Sequence, residues 1–170
     1  MLNAQQLSID LANYRIEGYA NEDPTHTHFS IPLISQVNET LWQGGCENNV
    51  DLQGYFPHII SLYPWERYRP DRNLSSFVEV RLFDGPRIPD EVQLHTLAHW
   101  VNLCQLTGPT LVHCQAGLNR SGLVAGLSLV LKGMEPGAAI ALLREKRCPQ
   151  VLCNRKFESW LRAQPTGASI

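Results

Sequence analysis

The stretch TLVHCQAGLNRSGLVAG, residues Thr110 to Gly126, decides how the chain is read. Leu111 and Val112 belong to a short buried strand that stops at Cys114. Gly117 and Gly122 loosen the backbone, and from Arg120-Ser121 onward apolar residues return at helical density. A strand, a tight glycine-bearing loop and a helix N-terminus together make an anion cradle. Loop N–H groups converge, the first unpaired N–H groups of the helix add donors, and the helix dipole favours negative charge. Gly117 lets the loop take positive φ or approach a ligand closely. Arg120, at the helix start, offers a planar fork for two phosphate oxygens. Cys114 lies at the floor of the cradle, where the same donors stabilise a thiolate. A thiolate facing a bound phosphoryl group is a nucleophile.

Outward from this stretch, strands and helices alternate. FSIPLI (29–34), TLWQGG (40–45), HIISLY (58–63) and FVEVRLF (77–83) read as strands, and CENNVDLQGY (46–55) as a short helix. DGPRIPD (84–90) is a loop by its Gly and Pro content. Pro89-Asp90-Glu91 opens a helix whose apolar face carries Val92, Leu94, Leu97, Ala98, Val101 and Leu103. Gly108-Pro109 stops it before the strand TLVHC. The helix that begins at Arg120 is closed by Gly133, and EPGAAIALLREKR and NRKFESWLRAQ give two more. The pattern implies an α/β fold with a central, mostly parallel sheet of four to five strands, flanked by helices on both faces. Residues 1–28 are polar and irregular, with room for a short helix, and form an N-terminal extension.

At 170 residues the length matches one domain, with 44% hydrophobic and 18% charged residues. Fourteen basic against sixteen acidic side chains give a formal charge of −2, so no basic excess points to nucleic acid or to a membrane surface. Any anion site must be local. The five cysteines, 46, 104, 114, 148 and 153, include no CxxC pair and match neither a disulfide framework nor a zinc knuckle. The first residues lack a basic region followed by an apolar core, and no apolar run is long enough to span a bilayer. A cytoplasmic monomer with free thiols is expected.

His113-Cys114-Gln115-Ala116-Gly117-Leu118-Asn119-Arg120-Ser121 matches HCxxGxxR(S/T), the signature of cysteine-dependent protein tyrosine phosphatases. The short chain resembles the dual-specificity branch. LWQGG (41–45) and DLQGYFPHIISLY (51–63) are similar to that branch's opening strand, helix and strand. LFDGPRIPD (82–90) is similar to its general-acid loop, and AIALLREKRCPQVLCNRKFESWL (139–161) to its closing segment. The resemblance covers about residues 30–163 and implies a catalytic domain over 29–165. Rhodanese-like proteins and arsenate reductases also hold a cysteine in an oxyanion loop. The upstream Asp and the downstream Asn-x-x-Phe favour the phosphatase.

The resemblance implies a phosphomonoester hydrolase that works through a phosphocysteine intermediate. Cys114 is then the nucleophile and Arg120 the phosphate ligand, with residues Gln115, Ala116, Gly117, Leu118, Asn119 and Arg120 holding the substrate. A cation at a helix N-terminus is disfavoured by the dipole, so Arg120 calls for an anion. Ser121 reads either as a cap or as the hydroxyl that helps the thiolate leave; His113 reads either as a core histidine or as a group that fixes the loop. A leaving oxygen must be protonated as the P–O bond breaks. Asp84 suits that task, at a strand end on a Gly-Pro loop, while Asp90 reads as an N-cap. Asn154 and Phe157 support the loop.

No cofactor is required, because Arg120 and the loop amides supply a positive field. His95 and His99, at i and i+4, lack a third ligand and read as helix-surface residues, not as a metal site. The expected substrate is a phosphorylated protein or peptide carrying phosphotyrosine, or phosphoserine and phosphothreonine. Tyr63, Trp65 and Tyr68 are candidates for a pocket wall. Two other readings stay open. One is a phosphopeptide-binding module that has lost catalysis. The other is a phosphatase for a non-protein substrate: a phosphoinositide, disfavoured by the uncharged Gln115, Leu118 and Asn119, or an RNA 5'-phosphate, whose enzymes the Asn119-Arg120 pair resembles but which the lack of a strongly basic surface disfavours.

Overall fold

The computed structural model describes residues 13–20, 26–47, 50, 52, 54–63 and 74–167. Its strands are β1 (Arg15–Tyr19), β2 (His28–Pro32), β3 (Ile34–Gln36), β4 (Leu41–Gly44), β5 (His58–Ser61), β6 (Ser76–Glu79) and β7 (Thr110–His113). Its helices are α1 (Glu91–Cys104), α2 (Arg120–Leu131), α3 (Pro136–Lys146) and α4 (Arg155–Arg162). The central sheet has five strands in the order β3-β4-β7-β5-β6, with only the β3–β4 pair antiparallel. Every residue of β4, β5 and β7 is buried, as inner parallel strands covered on both faces require.

Alternation along the inner strands splits the core. Leu41, Ile60 and Val112 point to the face where all four described helices pack, while Trp42, Ile59 and Leu111 point to the other. Among the described residues that other face is covered by Val50, Leu52 and Phe56, with Phe56 edge-on to Trp42. The expected helix over 46–55 is not seen in the described part of that stretch, where only a turn at Gly54-Tyr55 is formed. Asn48, Asn49, Asp51 and Gln53 lie outside the described residues.

Helix α2 is the hub. Each of its residues from Arg120 to Val130 is buried, because α1, α3 and α4 all pack around it. Phe157 and Leu161 of α4 are fully buried in this contact, each worth about 1.5–3 kcal/mol of burial. Gly133, at φ 100°, ends the segment as expected. Asp90 caps α1, its Oδ1 accepting from Gln93 N at 2.8 Å. Arg144 of α3 ties to Glu158 of α4 at 2.7 Å.

The N-terminal segment differs from its reading as irregular. Arg15–Tyr19 is a strand, antiparallel to His28–Pro32 in a separate two-stranded sheet. RIEGY gave little sign of it, since its burial alternates only between exposed and half-buried positions. Tertiary pairing decides such a strand, not an apolar pattern. Residues 1–12, where a short helix had room, lie outside the described residues.

Candidate active site

Strand β7 runs parallel to both neighbours, with His113 in register with Gly44 of β4 and Ser61 of β5. Cys114 therefore leaves the sheet at its carboxyl edge, between the segments that follow β4 and β5. Open α/β sheets bind ligands at that edge. The connection from β7 to α2, residues 114–119, is held from behind by its carbonyl groups. Gln115 O accepts from Cys46 N at 3.0 Å, and Leu118 O from Leu152 N at 3.3 Å. Between them, Ala116 O accepts from Arg147 at 2.9 Å, and Gly117 O from Arg147 Nε at 2.6 Å and Gln43 Nε2 at 3.0 Å.

Four consecutive carbonyls thus face the scaffold. A trans peptide is planar, so each N–H points opposite to the carbonyl of its own unit. The N–H groups of Ala116, Gly117, Leu118 and Asn119 are turned the other way, toward the cleft. Gly117 makes the turn at φ 74°. A side chain there would collide with the Gly44 backbone and the Arg147 guanidinium. This is a nest of donors at a helix N-terminus.

The cleft has a volume of about 920 Å³. Cys114, Gln115, Ala116, Leu118, Asn119 and Arg120 line its floor, with Asp84 and Phe83 on one side and Tyr63 on another. Cys114 is buried, and its Sγ lies 3.5 Å from Ser121 Oγ as a hydrogen-bonded pair. Arg120 is only 8% exposed. Its guanidinium carbon sits over the Tyr63 ring, 5.2 Å from the centroid, and its buried Nε has no hydrogen-bond partner among the described residues. Asn119, at the N-cap, makes no capping bond to α2.

Asp84 is held by two amides. Asn119 Nδ2 donates to Oδ2 and Asn154 Nδ2 to Oδ1, each at 3.0 Å. Asn154 also donates to Gly85 O at 3.0 Å, while its own Oδ1 caps α4 by accepting from Lys156 N and Phe157 N. The Asn154 N–H returns to Asn119 Oδ1 at 2.9 Å. The carboxylate of the 84–90 loop is thereby locked to the cysteine loop and to α4. His113 is fully buried beneath Cys114. Burial pushes its imidazole down to about 4, against a smaller upward pull from a hydrogen bond with the Cys114 backbone, so it is neutral at pH 7.

Of the residues picked from the sequence, Cys114, Arg120, Asp84, Gln115, Ala116, Leu118 and Asn119 meet in the cleft. The Asn119 side chain is committed to Asp84 and Asn154. Gly117, Ser121 and His113 stand behind the cleft. Asn154 braces the loop as expected, and Asp90 is a cap six residues away from Asp84. Trp65 and Tyr68 lie outside the described residues. His95 is half-buried, edge-on to Trp160 at 6.1 Å, and no cluster of three potential metal ligands occurs among the described residues. All five cysteines are free thiols, with Cys46 and Cys153 beside Cys114 in the cleft wall.

Three features escaped the sequence reading. Arg147 is 7% exposed and donates to the carbonyls of Pro32, Leu33, Gln43, Ala116 and Gly117 and to Ser35 Oγ. Burial lowers it to about 10, with upward pulls from Cys148 and Cys114, so it stays charged at pH 7. Only its place in a basic stretch hinted at a role. Gln43, wholly buried in β4, was invisible in an otherwise apolar strand. Residues Ile16, Glu17, Gly18, Tyr19 and Ala20 of the N-terminal segment form a cleft wall.

Comparison with known proteins agrees with this geometry. The family model described as protein-tyrosine phosphatase matches residues 85–163. No curated protein sequence matches the chain. Among solved structures, Tk-PTP in its active form is similar with a TM-score of 0.65 and 19% identity, over 78% of this chain and 98% of that one. A mouse putative dual specificity phosphatase complexed with zinc tungstate has a TM-score of 0.61 and 18% identity, over 78% and 91% of the two chains. The Cydia pomonella PTP-2 phosphatase gives 0.62 and 20%, over 76% and 88%. The matched stretch runs from the loop after Asp84 through α4, and the fold of the chain is the one shared by dual-specificity phosphatases. Among the described residues no helix is long and apolar enough to cross a membrane.

Proposed function

We propose that the chain hydrolyses phosphotyrosine, and also phosphoserine and phosphothreonine, in proteins, through a phosphocysteine formed on Cys114. One observation carries the reading. The Arg120 guanidinium is buried at a helix N-terminus, where the dipole repels it, and its Nε lacks a partner among the described residues. A phosphate on the cysteine loop answers both costs, since Arg120 and the loop N–H groups converge on one anion. In the first step Cys114 Sγ attacks phosphorus, the P–O bond to the substrate breaks, and Asp84 gives its proton to the leaving oxygen. In the second, water attacks the phosphocysteine, its proton passes to Asp84, and the electron pair of the P–S bond returns to sulfur. Ser121 donates to that sulfur, and His113 braces the strand end beneath it.

The charge of the cleft supports a protein substrate. Among the described residues Arg120 is the one cation that lines it, against Glu17, Glu47 and Asp84. A single phosphate on a neutral or basic peptide suits that wall; a bisphosphorylated inositol or an RNA 5'-triphosphate meets carboxylates. The test is turnover of phosphotyrosine, phosphoserine and phosphothreonine peptides, a phosphoinositide and a 5'-phosphorylated RNA, with Cys114→Ser as control. We expect turnover of the peptides alone, lost in the variant. Preference for the lipid or RNA overturns the substrate, and phosphopeptide binding without any turnover leaves a binding module.

A further inference from the structure

Gln43 sits in the interior of a central strand with no exposed surface, and its Oε1 has no hydrogen-bond partner among the described residues. An apolar side chain of equal size would fill the space without that cost. What the amide does is visible at its other end. Nε2 donates to Gly117 O at 3.0 Å and to Ser121 Oγ at 3.3 Å. The amide cannot be turned over, because Oε1 would then face the Gly117 carbonyl, oxygen against oxygen. Gln43 therefore presents only a donor to Ser121.

A hydroxyl has one proton to give and lone pairs to receive. As a thiol, Cys114 donates to Ser121 Oγ at 3.5 Å; as a thiolate it has no proton to give, and with Oγ accepting from Gln43 the Ser121 proton is left to turn toward Sγ. We infer that Gln43 is a positioning residue: it sets the direction of the Ser121 hydroxyl so that Ser121 donates to the Cys114 sulfur. The inference rests on the reading of Cys114 as nucleophile. Its chemical consequence falls on the second step. As water attacks the phosphocysteine, the P–S pair returns to sulfur and the attacking water gives its proton to Asp84. The Ser121 proton stays on Oγ and stabilises the emerging thiolate. A randomly turned hydroxyl gives less of that help.

The experiment uses p-nitrophenyl phosphate in stopped flow with wild type, Gln43→Leu, Ser121→Ala and the double variant. For this good leaving group kcat reports phosphocysteine breakdown, whereas kcat/KM reports its formation. We expect Gln43→Leu to lower kcat roughly 3- to 10-fold, part of what one hydrogen bond to a charged group is worth. Its kcat/KM should stay within twofold of wild type, with the p-nitrophenol burst kept and only the steady phase after it slowed. In the Ser121→Ala background Gln43→Leu should add no further loss. Its melting temperature should not fall, since Gly117 O keeps Arg147 and a partnerless amide oxygen is removed. Gln43→Met, unbranched, repeats the test should the leucine pack badly. Equal falls in kcat and kcat/KM, or independent losses in the double variant, overturn the role of Gln43 while active wild type keeps the phosphatase reading. Wild type without turnover overturns both.

Discussion

Arg147→Met should damage both the stability of the chain and its grip on oxyanions. The guanidinium gives six hydrogen bonds to the backbone and to Ser35. At roughly 1–1.5 kcal/mol net for each, their sum is about 6–9 kcal/mol. Against this stands the cost of burying the charge. A fall from the ordinary arginine range to about 10 corresponds to roughly 3 kcal/mol. The difference, about 3–6 kcal/mol, overlaps the range found when a buried charged network loses one member. For a chain of this size it is a drop of about 6–24 °C in Tm.

The local effect separates loop from global fold. Gly117 O keeps Gln43, and Leu33 O keeps Gly45 N at 2.9 Å, but the Ala116 carbonyl loses its one donor among the described residues. The Ala116–Gly117 peptide is then free to rotate, and the Gly117 N–H no longer faces the cleft. Well below Tm we expect the orthovanadate inhibition constant to rise at least tenfold. Arg147→Lys should fall between, since one ammonium cannot hold two peptide planes. A methionine variant that melts within 2 °C of wild type and binds orthovanadate normally would refute the idea that these carbonyls set the loop.

Cys114→Ser should abolish turnover of p-nitrophenyl phosphate while isothermal titration still detects orthovanadate; a tenth of wild-type kcat would end the covalent mechanism. Arg120→Lys should remain badly impaired in both kcat and KM, because a point charge cannot replace the fork, and near-normal kinetics would remove Arg120 from the reaction. Asp84→Asn should slow alkyl phosphates by roughly 10²–10⁴-fold and aryl phosphates far less, whereas Asp90→Asn should leave rates unchanged; the reverse outcome moves the acid to Asp90. Neutral, buried His113 makes stability depend on pH. The folded group protonates near 4 and the unfolded one near 6.5, so stability is full above pH 6.5 and is lost as pH falls toward 4. Urea unfolding at pH 5 should give about 2 kcal/mol less than at pH 8, a difference that His113→Asn abolishes if the assignment holds.

What could be read in advance was whatever is local in the chain. The strand at Thr110, the glycine at the loop's turn, the arginine that opens α2 and the cap at Asp90 are each set by neighbours within a few residues. The loop's polarity, with N–H groups facing the cleft, is not local. It depends on Cys46, Arg147 and Leu152 reaching carbonyls from distant elements. Arg147 lies 115 positions from one of its acceptors, Pro32, and no spacing rule links them. Strand β1 was missed for a similar reason: its pairing with β2 is the signal, and pairing is not written in RIEGY.

The placement of buried polar groups adds a physical argument for function. The helical face of the core is filled by leucine, valine, isoleucine and alanine, and those contacts hold the fold. Of the thirteen polar side chains buried among the described residues, seven gather around one loop: Gln43, His113, Asn119, Arg120, Ser121, Arg147 and Asn154. A core built for stability alone would replace most of these, since each buried polar atom is at best exchanged for a bond to water. Two of them, Gln43 Oε1 and Arg120 Nε, are left without a partner among the described residues. Sequences that fold well break local rules at the sites they use. Here the two breaks lie on either side of Cys114, one behind its hydroxyl neighbour and one facing the cleft. The apolar layers supply the stability, and the loop they support keeps donors aimed at an anion that the fold itself does not contain.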